Sequence, residues 1–214
     1  MSRLSPTATV LHSWKSVLRF AGLGLLLALA LSLTEPLKYS SRVRLLILQD
    51  VGTAVDAYTA SRSEERIAEN LSTVVYTTTF FDRVLNAGFS VDPNSFPLQD
   101  NKRRQAWSKT VDATVSRGSG LLTITAYHQD VKQAEQIAQA IAFVLTQYAG
   151  DYTSGGNVQV RLVDAPLNSR WWVKPNLLAN GLSGLFLGGL AGAGYVLFLA
   201  EHQRRKHQLM HEQT

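Results

Sequence analysis

The chain has 214 residues, of which 45% are hydrophobic and 17% are charged, and this balance is too apolar for a disordered protein. The formal net charge is +5, but the basic excess lies mostly at the two ends, so the composition argues against a nucleic-acid-binding protein. The absence of cysteine excludes a disulfide framework, a thiolate zinc site and a cysteine nucleophile.

Two long apolar segments, one near each end, predict two transmembrane helices. Residues 17–33 contain a single charge, and a helix of this length reaches about 25 Å, which is just enough to span a bilayer. The alternative is a cleavable signal peptide, because Lys15 and Arg19 supply basic charge and residues 28–30 resemble a cleavage site. The segment exceeds the usual signal-peptide apolar region of about 7–15 residues, which favours a retained helix. Residues 177–200 carry no charge and are also long enough to span.

The flanking charges predict the orientation of these helices. Arg204, Arg205 and Lys206 follow the second segment, and Arg3 and Lys15 precede the first. Short basic tails remain in the cytoplasm, so both termini are expected there, in a multi-pass protein of the cytoplasmic (inner) membrane. The expected organisation is a cytoplasmic tail (1–16), a first transmembrane helix (17–35), an extracytoplasmic α/β domain (36–170), an interfacial segment with the second transmembrane helix (171–200) and a second cytoplasmic tail (201–214).

An aromatic pair precedes the second apolar segment. Trp171, Trp172 and Lys174 lie where the chain is expected to re-enter the bilayer. Amphipathic indoles gather at the level of the lipid headgroups, so these residues are predicted to form a membrane-interface anchor. The alternative is that the two tryptophans belong to the core of the domain.

The first half of the intervening domain predicts a strand followed by a helix. Residues 39–48 alternate at first and then become continuously apolar, as in a strand that is buried more deeply toward its end. Ser61 and Glu64 have the spacing of a capping box, and a helical apolar stripe then runs to Leu85. The helix is expected to end near Gly88, which suits a left-handed C-cap.

The second half predicts a hairpin, a long helix and a last strand. Residues 92–106 are polar and contain two prolines, so a loop with at most a short helix is expected. Two alternating strands, 110–116 and 121–127, are joined by a glycine-containing turn, and Asp130 then caps a long amphipathic helix. Residues 154–157 break this helix, and 158–163 form the fourth strand. The order strand, helix, strand, strand, helix, strand predicts an α+β fold of the ferredoxin-like βαββαβ type.

The sequence offers little catalytic or metal-binding chemistry. His128 is the only histidine within the domain and is interpreted as a polar strand end. His207 and His211 have the i, i+4 spacing of a helical metal pair but lack a third ligand. Neither a phosphate-binding loop nor a nucleophile elbow occurs. We therefore expect a protein that is not an enzyme and that has no cofactor, metal or catalytic residues.

The second apolar segment carries a glycine face. Gly184, Gly188 and Gly192 repeat at i, i+4 and i+8, so they lie on one side of a helix where another helix backbone can approach closely. These three residues are therefore predicted to mediate helix association. The partner is either a neighbouring subunit or the first apolar segment of the same chain, which also offers small residues.

The order of these features resembles the Wzz-type polysaccharide chain-length determinants, also called polysaccharide co-polymerases. Residues 121–130, which end in Asp130, and the Ala134 region of the next helix are similar to the family's strand, aspartate and alanine-rich helix. Pro166 and Pro175, followed by the glycine face, resemble its proline-bearing entry into the second span. The long helical extension of larger members is not expected here, and the short tail after the second span is not expected to hold a fused kinase.

The resemblance implies a non-catalytic scaffold that regulates the chain length or export of a surface polysaccharide. It also implies a homo-oligomer in the membrane lipid that contacts a polysaccharide polymerase and the growing glycan, without nucleic acid. Short members modulate a separate cytoplasmic tyrosine kinase, which the basic triplet at 204–206 could contact, although a topology signal is the favoured interpretation of that triplet. Two alternatives remain, namely a two-span sensor or adaptor with a ligand- or partner-binding outer domain, and an anchored enzyme.

Overall fold

The computed structural model describes residues 13–50, 56–153 and 157–211. The chain forms two compact units, one made of Leu37–Val173 and the other made of Met1–Pro36 with Lys174–Thr214.

The unit formed by the two ends of the chain contains two apolar helices. Helix α1 spans Trp14–Ser32 and helix α6 spans Leu177–His211. Both are long and apolar enough to cross a membrane, α6 over Leu177–His202. They pack antiparallel, since Ser32 at the end of α1 meets Asn180 at the start of α6 and Phe20 meets Tyr195. The antiparallel packing brings residue 14 and the end of the apolar part of α6 to the same end of the pair.

The central unit is a mixed α+β domain with one four-stranded sheet. The elements follow one another as β1 Tyr39–Asp50, α2 Ala57–Val74, α3 Thr78–Leu85, α4 Asp100–Thr110, β2 Val111–Val115, β3 Leu121–His128, α5 Val131–Tyr148 and β4 Asn157–Asn168. Short 3-10 turns occur at Pro93–Ser95 and Ala149–Tyr152. The strand order is β2-β3-β1-β4, and every neighbouring pair is antiparallel. The predicted α+β class is therefore confirmed.

The hydrophobic core lies on one face of this sheet. Strand side chains alternate between faces, so Val43, Leu45 and Ile47 of β1 point to the same side and all are buried. Helix α5 contacts β1, β3 and β4, and α2 contacts β1, β2 and β3. The buried stripe of α5 matches the predicted amphipathic pattern, with Ala134, Ile137, Ala138, Ile141, Val144 and Leu145 inside. The other face carries polar residues such as Arg42 and Arg44.

The helix predicted to begin at Ser61 differs in the structure. Asp56 is the N-cap of α2, and its carboxylate accepts hydrogen bonds from the backbone N–H groups of Tyr58 and Thr59. The capping box is therefore wrong, and the Ser61 hydroxyl instead donates to the carbonyl of Gly118. A turn after Val74 also divides the predicted helix in two, with Thr77 capping α3. The apolar stripe continues through this turn, so periodicity alone conceals it. Gly88 follows α3 with φ +83°, as expected for the end of this helical region.

Two other segments are more ordered than their composition predicts. Helix α4 fills much of the segment expected to be mainly loop, because its otherwise polar sequence contributes one large core residue, Trp107, which is 1% exposed. Strand β4 runs to Asn168, beyond the expected end at residue 163. Pro166 is compatible with this extension because β4 is an edge strand and its register with β1 shifts between Asp164 and Leu167, where Pro166 lies. Of the predicted break at 154–157, residues 154–156 lie outside the described residues, and Asn157 is the first residue of β4.

Candidate functional sites: a close helix pair and a basic cleft

The predicted glycine face contacts helix α1 of the same chain. A Cβ built on Gly184 would overlap the Ala28 side chain and lie 2.5 Å from the Gly24 carbonyl oxygen. A Cβ on Gly188 would overlap the Phe20 carbonyl oxygen and lie 3.1 Å from the Gly24 Cα. A Cβ on Gly192 would lie 2.8 Å from the Phe20 Cβ. The three glycines thus permit backbone contact within the chain, which is the second of the two partners considered above.

Polar and aromatic contacts flank the glycines. At one end of the pair the Asn180 amide donates a 2.8 Å hydrogen bond to the Ser32 hydroxyl, and Ser32 is 4% exposed. Toward the other end the Phe20 and Tyr195 rings lie 5.1 Å apart. Interhelical polar contacts in membrane proteins contribute on average about 0.6 kcal/mol, so the Asn180–Ser32 hydrogen bond is a modest addition to the backbone packing at the glycines.

The tryptophan pair is outside the core of the central domain. Trp171 is 74% exposed and Trp172 is 37% exposed. The domain-core alternative is therefore wrong. Lys174 follows in the other unit, and Pro175 precedes α6 there. Residues Arg204, Arg205 and Lys206 continue α6, but their side chains lie outside the described part of the chain.

The residues that carry the family resemblance in the domain have structural roles. Asp130 caps α5, and its carboxylate accepts a 2.9 Å hydrogen bond from the Lys132 backbone N–H. Ala134 is fully buried one turn further along the same helix. Pro166 lies on β4 and lines a shallow apolar groove of about 300 Å³ between α5 and β4, beside Phe143 and Leu162. The exposed apolar side chains of Phe143 and Leu162 therefore lie beside an edge strand of the sheet.

The central domain contains a basic cleft of about 390 Å³. Helix α4 forms one wall with Lys102, Gln105 and Lys109, which lie on one helix face at i, i+3 and i+7. The end of β3 contributes His128, and Lys38 lies just before β1. Among the residues that the structure describes, the lining contains no carboxylate. We call this cavity the α4 cleft.

The side chains around the α4 cleft are fixed by local contacts. The His128 Nδ1 accepts a 3.0 Å hydrogen bond from the Asp130 backbone N–H. That bond requires an unprotonated Nδ1, so the neutral ring carries its N–H at Nε2. Tyr127 also lines the cleft, and burial, with a contribution from the nearby Asp112 carboxylate, raises the pKa of its hydroxyl.

The α4 cleft was not found by the sequence analysis. Lys102, Gln105 and Lys109 show helical spacing, but they lie in a segment interpreted mainly as loop. His128 was interpreted as a polar strand end, which is correct for its position but misses the neighbours that the fold brings to it. The α4 residues and His128 become neighbours only because α4 packs beside the end of β3.

The described residues contain no group of three or more His, Asp or Glu side chains that could hold a metal. Comparison with known proteins adds no relative, since no family model matches the chain and no curated protein matches it. The helix pair and the α4 cleft are therefore the features from which function is inferred.

Proposed function

We propose that this chain is a membrane scaffold of the polysaccharide co-polymerase type, which regulates the chain length or export of a surface polysaccharide. The observation that carries the proposal is the close antiparallel pair formed by α1 and α6, which enclose the whole α+β domain in sequence. A chain that crosses a bilayer twice has both ends on one side. With the basic flanks, this arrangement supports cytoplasmic termini and an extracytoplasmic domain in the inner membrane.

The sheet supports a ferredoxin-like domain within this scaffold. Strands β1 and β3 are central, and the helices α2 and α5 that follow them both contact β1. This is the arrangement expected of a split βαβ fold, in which each crossover connects strands that are not neighbours. Helices α3 and α4, inserted between α2 and β2, are additions to that plan.

The proposed scaffold acts as a homo-oligomer, and the groove between α5 and β4 is the surface we assign to subunit contact. Among the described strands, β4 pairs only with β1, so its other edge is the one available for pairing with a further strand. Leu162 is 50% exposed and Phe143 is 40% exposed beside that edge. A second copy of the chain would cover both the edge and the apolar groove. The polymerase, the growing glycan and a separate tyrosine kinase are the further partners that the proposal includes.

A second candidate function is a two-span sensor or adaptor. The α4 cleft favours it, because a polar cavity of this size can hold a small ligand. In that case ligand binding would alter signalling, while glycan length would be independent of the protein.

The experiment that separates these functions is deletion of the gene followed by sizing of surface polysaccharide on a gel. The scaffold predicts a changed length distribution that the wild-type gene restores. A His128→Ala variant at normal protein level should also restore it, since no catalysis is involved. An unchanged distribution in the deletion strain would exclude the scaffold and leave the sensor or the anchored enzyme.

A further inference from the structure

The geometry of the α4 cleft points to a phosphate-binding site. Three lysines, Lys38, Lys102 and Lys109, line the cavity together with no acidic side chain. Among the described residues, neither Lys102 nor Lys109 forms an ion pair, whereas Arg103 between them is bound to Asp100 at 2.8 Å. The charges of Lys102 and Lys109 are thus not neutralised by an ion pair within the described part of the chain.

The donors in the α4 cleft suit a phosphate. Lysine ammonium groups are common phosphate binders that act as point charges, so they do not need the paired donor geometry of arginine. Gln105 adds amide donors from the α4 wall, and His128 supplies an N–H at Nε2 from the β3 wall. A volume of about 390 Å³ accommodates a phosphomonoester or a pyrophosphate.

The phosphate can come from solution or from a lipid headgroup. Lys38 follows the last residue of α1, Ser32, by six residues, which extend at most about 20 Å. If α1 spans the membrane as proposed, Lys38 lies within reach of the headgroup region. Binding of a lipid headgroup requires the proposed membrane topology, whereas binding of a soluble phosphate does not. Neither requires that the protein act as a polysaccharide scaffold.

The first test is calorimetric titration of the full chain, in a phosphate-free maltoside detergent, with inorganic pyrophosphate. We expect saturable binding that the double variant Lys102→Gln, Lys109→Gln weakens by about tenfold or more, because two charged donors are lost. The matched control is Lys132→Gln, an exposed lysine on α5 outside the cleft, which should bind as wild type does.

The second test distinguishes the lipid source. The full chain is placed in phosphatidylcholine nanodiscs with or without phosphatidic acid, and acylation of each lysine is measured by mass spectrometry. Selective protection of Lys102 and Lys109 by phosphatidic acid, with Lys132 unchanged, assigns the phosphate to a headgroup even if pyrophosphate does not bind. The inference is overturned if neither ligand acts, or if the double variant binds pyrophosphate as tightly as wild type. Neither test measures glycan length, so failure of the phosphate site can be distinguished from failure of the proposed scaffold function.

Discussion

The contact between α1 and α6 predicts that Gly188→Leu separates the two helices. Even a single methyl at this position would overlap the Phe20 carbonyl oxygen and lie 3.1 Å from the Cα atoms of Ala21 and Gly24. These obstacles are backbone atoms, so relief requires the helices to move apart. Inserting a larger side chain into such a packed contact is expected to cost about 1–3 kcal/mol, or about a 5- to 150-fold change in the pairing equilibrium.

A matched control is available on the same helix. A Cβ on Gly194 would meet nothing within 4 Å, so Gly194→Leu adds the same side chain without a clash in the pair. The two substitutions therefore have the same effect on hydrophobicity and on helix propensity, and differ only in packing.

The assay is cross-linking between the helices in membranes. Leu25→Cys and Gly181→Cys introduce the only two thiols, because the chain has no cysteine, and a Cβ on Gly181 would lie 3.1 Å from the Leu25 Cδ1. A short bis-thiol reagent should join them efficiently in the background of wild type and of Gly194→Leu, but poorly with Gly188→Leu. Equal cross-linking with Gly188→Leu and Gly194→Leu would refute the argument that glycine packing holds the pair together.

Three further substitutions test the central domain, each measured on the full chain in detergent. Trp107→Phe removes the indole N–H that donates to the buried Val75 carbonyl at 2.8 Å, so thermal unfolding should reveal a loss of about 1–3 kcal/mol, and wild-type stability would contradict the role of this bond. Asp130→Ala removes the α5 cap and should cost about 1 kcal/mol, whereas Asp130→Asn should retain most of the stability. Leu162→Glu should dissociate the proposed oligomer in light scattering while the exposed control Leu98→Glu does not; an intact oligomer would exclude the α5–β4 groove as the subunit contact.

The regular elements could be predicted because their signals are local. The alternating strands and the apolar stripe of α5 follow from side-chain period, and Asp130 is a local cap. The α2 start was missed because Asp56 lies before a stretch without a clear apolar period, while Ser61 and Glu64 have the spacing of a capping box without forming one.

The two candidate sites depend on contacts that a single sequence cannot supply. The glycine spacing identifies a contact face, but the choice between a neighbouring subunit and α1 depends on which helix lies opposite, here through Gly24. The α4 cleft requires α4 and the end of β3 to meet, although Lys109 and His128 are separated in sequence by the whole hairpin. The periodicity of the sequence can predict a helix or a strand for each segment separately, but it cannot predict that α4 packs beside the end of β3.

The measurement that tests the central claim most directly is the side of the membrane on which each part of the chain lies. Because the chain has no cysteine, single cysteines at Ala8, Leu98 and Met210 can be labelled without background in intact cells with a membrane-impermeant thiol reagent. Leu98 is 96% exposed in the domain, so Leu98→Cys should react fully, while Ala8→Cys and Met210→Cys should react only after the cells are permeabilised. Labelling of Met210→Cys in intact cells, or protection of Leu98→Cys, would contradict a scaffold that holds its domain outside the cytoplasm.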